Sequence, residues 1–413
     1  MNAEAHFNIY RGAWAAMPEA LRQKVPLTDL LLHRAANYPD HFDDPTKDEA
    51  TKAAIDPDWR RFTEFPEGFD GPRLHFWPHP PDQQSRWQPI TRHWLGRAVD
   101  CFRAGDTASF VKYLGCLSHW AGDVTQSSHL MDLELLRELM PPPDGRRDFH
   151  YHTDLEAVTG ECLPFPAPAF LGGDAEECAW RVSLNHARAM KECRRHIIPT
   201  LRAIFLGDEI TARAEASRPV TRAAQLSADL ILSAWKIAEG AFTAEERARL
   251  GRVDLASLPP EAEFHDLVYG GPIAGGNRAV PPNNGPLVAA KLREASGGFS
   301  SPPGFGMLPH SGMSGARSAW MRFSLPTGVF RRFTARVGMH AELAVAGAGI
   351  FSVILDDREA FRSPRLTGAD DAVPVVLDLG GASSLTLVVE DGNEGRSFWK
   401  NHGYWAEPEL RKD

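Results

Sequence analysis

The segment that decides the fold reads His119-Trp-Ala-Gly-Asp123-Val-Thr-Gln-Ser-Ser-His129, and it continues an apolar stretch that begins at Ser109. Apolar residues three and four positions apart in that stretch predict an amphipathic helix. Residues four apart lie on one helix face, so His119 and Asp123 can converge on one ion. Imidazole nitrogen and carboxylate oxygen are donors that suit Zn²⁺. An isolated pair of this kind is more often a structural interaction at a helix end.

A second segment has the same spacing, and its presence favours a metal site over a structural interaction. It reads Phe149-His150-Tyr-His152-Thr-Asp154-Leu-Glu156 and offers two interleaved pairs. Only one pair can face a given site, because positions two apart point in different directions around a helix. We prefer His152 with Glu156, which has apolar neighbours. His150 with Asp154 remains the alternative.

Two upstream segments add a carboxylate and an imidazole in short stretches that contain proline. They are Asn37-Tyr-Pro-Asp40 and Leu74-His75-Phe-Trp-Pro78. Loops on a rigid scaffold are where ligands can be aimed inward. Taken singly, Asp40 fits a helix cap or a turn, and His75 fits a surface residue packed among aromatic side chains.

Together these segments resemble the zinc-dependent bacterial phospholipases C, which share an all-α fold and a three-zinc site with the fungal single-strand nucleases. The resemblance covers about residues 1 to 240. Five pieces in the family's order are more specific than any one of them. They are His6, Tyr-Pro-Asp40, His75-Phe-Trp, His119-x-x-Gly-Asp123-x-x-Gln-x-x-His129 and His152-x-x-x-Glu156.

The resemblance implies two or three bound zinc ions. It assigns one ion to Asp40, His75, His119 and Asp123, and a second to His129, His152 and Glu156. Asp123 would bridge to a third ion held by His6. In the family this ion also binds the N-terminal amine, for which Met1 is the weaker candidate here. The resemblance makes Asp40 and Asp123 the catalytic candidates, with Asp40 as a base.

Three departures from the family concern the third ion and the substrate. Met1 stands five residues before His6, and no tryptophan occupies the start of the chain. Ser127 replaces a usual proline, and Leu130 to Leu133 replace small residues and asparagine. The metal ligands therefore match the family, whereas the choice of substrate does not transfer.

Clustered zinc ions suit phosphodiester hydrolysis, because they lower the pKa of water and neutralise charge on phosphoryl oxygens. We expect an enzyme of phospholipase C type that acts on a phospholipid or another small phosphodiester. The net charge of −9, from 45 basic and 54 acidic residues, gives no general attraction to nucleic acid. A nuclease is nevertheless an alternative, because Thr125-Gln126 looks more like the nuclease pattern. A nuclease would need base-stacking aromatics, for which the candidates are Trp77, Trp87, Trp94 and Trp120.

The chain changes its pattern after about residue 245. A stretch rich in glycine and proline follows, with one helical pattern near Leu287 to Ala295. Short β-type runs come next, separated by Gly or Asp turns. They are Arg331 to Val337, Gly349 to Leu355, Val373 to Leu379 and Ser384 to Val389. We therefore expect a multidomain protein: an all-α domain (1–245), a linker (246–299) and an all-β sandwich (300–413).

The last part of the chain also resembles a β-sandwich domain family called the novel carbohydrate-binding module. The resemblance rests on runs such as Phe330 to Gly338, Phe351 to Asp356 and Gly403-Tyr-Trp405. It implies a glycan partner, with Trp405 as a ligand-binding candidate on a strand that could close an edge of the sheet. Two plainer interpretations stay open: a packing domain that binds no glycan, and a protein whose hydrolase site has decayed.

Composition limits the remaining classes. The chain has 413 residues, of which 43% are hydrophobic, which argues against disorder and coiled coil. Five cysteines are too few for a disulfide scaffold. No apolar run predicts a transmembrane segment, and the start shows no signal peptide. The family resemblance favours a secreted or periplasmic protein, and a cytoplasmic one remains the alternative.

Overall fold

The computed structural model describes residues 2–66, 84–146, 148–264, 267–270, 290–309, 318–393 and 401–413, without the side chains of 84–87, 264 and 267–270. The chain divides into two compact units, Met1–Glu246 and Arg247–Asp413. The first unit is helical and the second consists of antiparallel sheets. The predicted fold class is therefore confirmed.

The helical unit is built around one buried helix. Its described helices are α1 (Ala3–Ala15), α2 (Glu19–Lys24), α3 (Asp29–Ala36), α4 (Tyr38–Phe42), α5 (Glu49–Ile55), α6 (Gln84–Arg103), α7 (Thr107–Asp123), α8 (Leu133–Leu139), α9 (Tyr151–Ala157), α10 (Ala175–Cys193), α11 (Ile197–Leu206) and α12 (Glu209–Glu239). Helix α13 (Ala244–Leu250) spans the boundary between the two units in the sequence. Helix α7 contacts α1, α3, α6 and α12. All its residues from Ser109 onward are buried except Lys112, which explains its nearly continuous apolar sequence.

The helix predicted from Ser109 is α7. A longer apolar pattern, from Ala179 to Phe205, is divided between α10 and α11 by a 3₁₀ turn at Arg194–His196. Pro199 explains the break, because proline has no N–H and its ring clashes with the carbonyl four residues earlier. The new helix therefore starts two residues before Pro199.

The second unit consists of two main antiparallel sheets. Its described strands are β1 (Arg252–Asp254), β2 (Ala262–Phe264), β3 (Leu267–Gly270), β4 (Leu292–Arg293), β5 (Phe299–Ser300), β6 (Gly304–Leu308), β7 (Ser318–Ser324), β8 (Arg332–Met339), β9 (Ala348–Leu355), β10 (Arg358–Arg362), β11 (Leu366–Thr367), β12 (Val373–Asp378), β13 (Ser384–Asp391) and β14 (Gly403–Arg411). One sheet has the order β12-β8-β14-β6-β3, with β1 on β14. The other has the order β10-β9-β13-β7-β2, with β11 on β9.

The predicted linker is wrong for its described strands. Strand β1 pairs with β14, β2 with β7 and β3 with β6, so residues 252–254, 262–264 and 267–270 are part of the sheets. The predicted helix near Leu287 is also wrong in its described part, where β4 pairs with β5. The rest of that stretch, 271–289, lies outside the described residues. Strands of two to four residues show too little alternation to be recognised in sequence.

Trp405 belongs to the core between the sheets. Its side chain is fully buried and packs edge-to-face on Phe351 of the other sheet, with ring centroids 5.7 Å apart. Its strand, β14, lies between β8 and β6 and does not form an edge. The predicted ligand-binding role of Trp405 is wrong, because a buried indole cannot stack on a sugar. The predicted edge strand is wrong, because β14 has a paired strand on each side.

Candidate metal centre

Helix α7 aims two functional side chains into the helical unit. Asp106 caps its start by accepting a hydrogen bond from the N–H of Ser109. His119 and Asp123 follow near its end, both with 1% of their surface exposed. His119 Nε2 lies 3.6 Å from Asp123 Oδ2. The predicted i,i+4 pair therefore exists and is buried.

A backbone carbonyl orients the ring of His119. Its Nδ1 lies 2.8 Å from the carbonyl oxygen of Ala36, at the end of α3. A proton on Nδ1 donates to this oxygen, which leaves the lone pair of Nε2 facing the carboxylates. Metal-binding histidines are commonly oriented in this way. Helix α3 comes this close because Gly115 has no side chain; a Cβ there would lie 2.6 Å from Ala35.

His6 reaches the same place from α1. Its ring stacks on that of His119, with centroids 3.7 Å apart and planes 12° apart. Its Nε2 lies 3.5 Å from Asp123 Oδ1. The two oxygens of Asp123 therefore face two different imidazoles, which is the arrangement of a bridging carboxylate.

Asp40 supplies the accessible side of this group. It lies on the short helix α4, and its Oδ1 is 3.6 Å from His119 Nε2. Its side chain is 35% exposed, in contrast to the buried His6, His119 and Asp123. Ligand atoms of His6, Asp40 and His119 all lie within 4.8 Å of one another.

A second group forms around Glu156. His129 ends a 3₁₀ turn, Ser127–His129, and its Nε2 lies 3.2 Å from Glu156 Oε1. His152 Nε2 lies 3.5 Å from the same oxygen and 3.3 Å from His129 Nε2. Burial acts to raise the pKa of Glu156, but its pKa lies well below the ordinary value, because His129 donates a hydrogen bond to the carboxylate. Burial lowers the pKa of His152, which favours the neutral imidazole that metals bind.

Asp123 connects the two groups. Its Oδ1 lies 3.7 Å from His129 Nδ1 as well as 3.5 Å from His6 Nε2. The two groups are thus neighbours that share one buried carboxylate.

The remaining predicted ligands fall elsewhere. His150 caps α9: its Nδ1 accepts from the N–H of Thr153, while the N–H of His150 donates to Asp154. The side chains of His150 and Asp154 both accept hydrogen bonds from backbone N–H groups at the start of α9. This alternative pair is therefore not part of the group around Glu156. His75 and Met1 lie outside the described residues.

Sequence reasoning missed the residues that support these ligands. Asn2 caps α1 through its Oδ1, and its Nδ2 donates to the carbonyl of Glu156 and to Thr159 Oγ1. Ser128 Oγ lies 3.4 Å from Glu156 Oε1. An asparagine before an apolar helix does signal a cap. Its bonds to α9 join residues more than 150 positions apart and have no sequence signature.

The donor set fits zinc. All seven described side chains offer imidazole nitrogen or carboxylate oxygen, as zinc sites do. Two ligands on a tetrahedral ion with bonds of about 2.0–2.1 Å are separated by roughly 3.3 Å. The contacts of 3.2–3.7 Å around Asp123 and Glu156 are close to that spacing.

A comparison with protein-family models finds a match in the second unit. Residues 308–411 match the NPCBM/NEW2 domain. This match confirms the family resemblance predicted for the last part of the chain. No curated protein matches the chain.

Solved structures similar to the chain include two clostridial toxins. The alpha-toxin of Clostridium perfringens avian strain SWCP is 10% identical, with 95% of this chain and 83% of that chain covered and a TM-score of 0.33. The alpha-toxin of Clostridium absonum is 12% identical, with the same coverage and TM-score. The CBM51 module of Clostridium perfringens GH95, solved with methyl-galactose, is 23% identical. It covers 38% of this chain and 99% of its own, with a TM-score of 0.31.

Proposed function

We propose that the helical unit is a zinc-dependent phosphodiester hydrolase of phospholipase C type. One observation supports this most: seven imidazole and carboxylate side chains from five separate segments converge around Asp123 and Glu156. Burying so many ionisable groups is costly unless they are paired or bind metal. Bound zinc would supply positive charge for the phosphoryl oxygens and lower the pKa of water.

The side chains divide into positioning groups and an accessible group. His6, His119 and Asp123 are buried. Each oxygen of the Asp123 carboxylate faces one imidazole, so Asp123 positions the two rings relative to each other. Asp40 is the ligand that substrate can reach, and its carboxylate can accept a proton from an attacking water. His152 and Glu156 of α9 are partly exposed as well, so the second group also has an accessible side.

The described aromatics favour a small phosphodiester over single-stranded nucleic acid. Trp94 and Trp120 are buried, with ring centroids 5.0 Å apart, so neither can stack on a base. The side chains of Trp77 and Trp87 lie outside the described residues. We therefore propose a phospholipid or a similar ester as substrate.

An activity assay tests this function. The zinc-loaded chain is given p-nitrophenyl phosphocholine, phosphatidylcholine and, in parallel, single-stranded DNA. We expect hydrolysis of the choline esters and its loss, by at least a hundredfold, in His119→Ala and Asp123→Asn. His150→Asn is the matched control, because asparagine keeps the helix cap beside the site. Cleavage of DNA alone would overturn the lipid substrate, and full activity in His119→Ala would overturn the site.

We further propose that the C-terminal unit binds a glycan, as its resemblance implies, and that the protein acts outside the cytoplasm. A glycan array probed with the full chain tests the first point. Binding to a defined set of sugars supports it, and no binding at micromolar protein contradicts it. Fractionation of the source cells tests the second point.

A further inference from the structure

The turn between α11 and α12 exposes two large apolar side chains. Leu206 is 72% exposed and Ile210 is 85% exposed. Gly207 closes α11 in the left-handed conformation, with φ of 69°, so both residues project at a sharp turn. We call Leu206 and Ile210 the apolar tip. The area that two exposed side chains offer is much smaller than that of a stable protein interface, which buries about 800 Å² on each side.

Arginines accompany the apolar tip. Arg202 lies one helical turn before Leu206, Arg213 lies one turn after Ile210, and all are exposed. Within the described part of the chain, the guanidinium groups of Arg202, Arg213 and the nearby Arg146 form no hydrogen bond or ion pair. The acidic residues at the turn are Asp208, which accepts a hydrogen bond from the N–H of Thr211, and the exposed Glu209. Asp148 and Asp154 also line a cavity with Arg146, so this surface has no net positive charge, and the groups that can meet a phosphate are the three guanidiniums without an ion-pair partner in the described part of the chain.

A cavity lies beside the turn between α11 and α12. It has a volume of about 350 Å³ and is lined by Arg146, Arg213, Ile204 and Gly207 on one side. Its other wall is the segment from Ala157 to Thr159, which directly follows Glu156. Gly207 and Glu209, which lie between the two residues of the apolar tip, thus line one cavity with Ala157, the last residue of α9.

We propose that the apolar tip and its arginines form a surface that docks the helical unit on a phospholipid bilayer. The inference rests on the proposed function, because it supplies the surface on which a lipid substrate would be presented. Leu206 and Ile210 insert among the acyl chains, and the unpaired guanidiniums meet lipid phosphates, as in interfacial helices. The occupant is a bilayer because exposed apolar residues flanked by unpaired arginines complement its apolar interior and its phosphate layer.

Vesicle binding tests the proposal with a double variant, Leu206→Glu/Ile210→Glu. We expect its partitioning to phosphatidylcholine vesicles with one-fifth phosphatidylserine to fall at least tenfold in a flotation assay. Hydrolysis of soluble p-nitrophenyl phosphocholine should stay unchanged. Leu30→Glu is the matched control: Leu30 is 62% exposed on α3, and its substitution should leave vesicle binding unchanged. Equal vesicle binding by the double variant and the wild type would overturn the proposal.

The arginines are tested separately. Arg146→Gln/Arg213→Gln should weaken vesicle binding several-fold, and 0.5 M NaCl should reduce this difference. No effect of the double substitution would overturn their part. A wild-type chain that hydrolyses the soluble ester but ignores vesicles contradicts the docking surface alone. Vesicle binding through the apolar tip without hydrolysis of any ester contradicts the proposed function alone.

Discussion

A Cβ atom on Gly122 would lie 2.7 Å from Nδ1 of His6. The ring of His6 is held between this glycine and the stacked ring of His119, so a methyl group at Gly122 must displace it. We expect Gly122→Ala to weaken zinc binding at the His6 position and to cost about 1–3 kcal/mol of stability. Zinc titration and urea unfolding measure the two effects.

Gly96 provides the control for this substitution. It lies inside α6, and a Cβ there would meet nothing within 4 Å. Gly96→Ala should raise stability by about 0.5–1 kcal/mol, because alanine restricts the unfolded chain. If Gly122→Ala also kept full zinc binding and stability, the close packing of His6 on α7 would be wrong.

The partly exposed Lys112 of α7 forms an ion pair with the buried Asp56, which follows α5. Lys112 Nζ lies 2.6 Å from Asp56 Oδ2, and Tyr38, two residues before Asp40, donates its hydroxyl to the same carboxylate. These contacts lower the pKa of Asp56 in spite of its burial. Lys112→Met should cost about 3 kcal/mol, because it leaves a buried charge unpaired.

A double-mutant cycle checks this ion pair. Asp56→Asn in the Lys112→Met background should restore at least half of the lost stability, since the amide carries no charge. Additive losses in chemical unfolding would show that the two residues are not coupled.

The buried His186 should make the free energy of unfolding decrease at acidic pH. Burial in α10 and the charge of Arg222 lower its pKa to about 4. The folded state keeps His186 neutral while the unfolded chain, with a pKa near 6.5, takes up a proton. Its contribution is therefore present above pH 6.5 and is lost as the pH falls toward 4, by roughly 3 kcal/mol in all.

Unfolding curves from pH 4 to 7.5 measure this effect. The free energy of unfolding of His186→Leu should depend less steeply on pH in this window than that of the wild type. Parallel curves for the two proteins would show that His186 does not titrate between the folded and unfolded states.

The boundary of the second unit gives a prediction for isolated fragments. A fragment of residues 247–413 contains β1, β2 and β3, whereas a fragment of residues 300–413 leaves β14, β7 and β6 without these partners. We expect the longer fragment to unfold cooperatively and the shorter one to aggregate through its open edges. Circular dichroism and size-exclusion chromatography distinguish them. A monomeric, cooperative 300–413 fragment would contradict the prediction.

The sequence predicted the parts of the site that depend on local periodicity. The spacing of His119 and Asp123 on an apolar helix determines their common face, and the same argument brings His152 and Glu156 together. The stacking of His6 on His119 could not be predicted from spacing, because it depends on how α1 packs on α7. The link from Asn2 to α9 is likewise a tertiary contact.

The fold was predictable to a similar degree. The long β-type runs are strands β8, β9, β12 and β13, whose alternation or length is visible in the sequence. Strands β1 to β3 have only three or four residues and lie among glycine and proline, which hides them. The burial of Trp405 depends on its central strand in the sheet, which only pairing partners reveal.

Zinc content per chain tests the central claim most directly. The purified full chain, dialysed against excess zinc and then against metal-free buffer, is measured by mass spectrometry beside Asp123→Asn. The shared position of Asp123 predicts two or three ions in the wild type and a loss of at least one in the variant. Fewer than two ions in the wild type, or an unchanged number in Asp123→Asn, would contradict a shared metal centre.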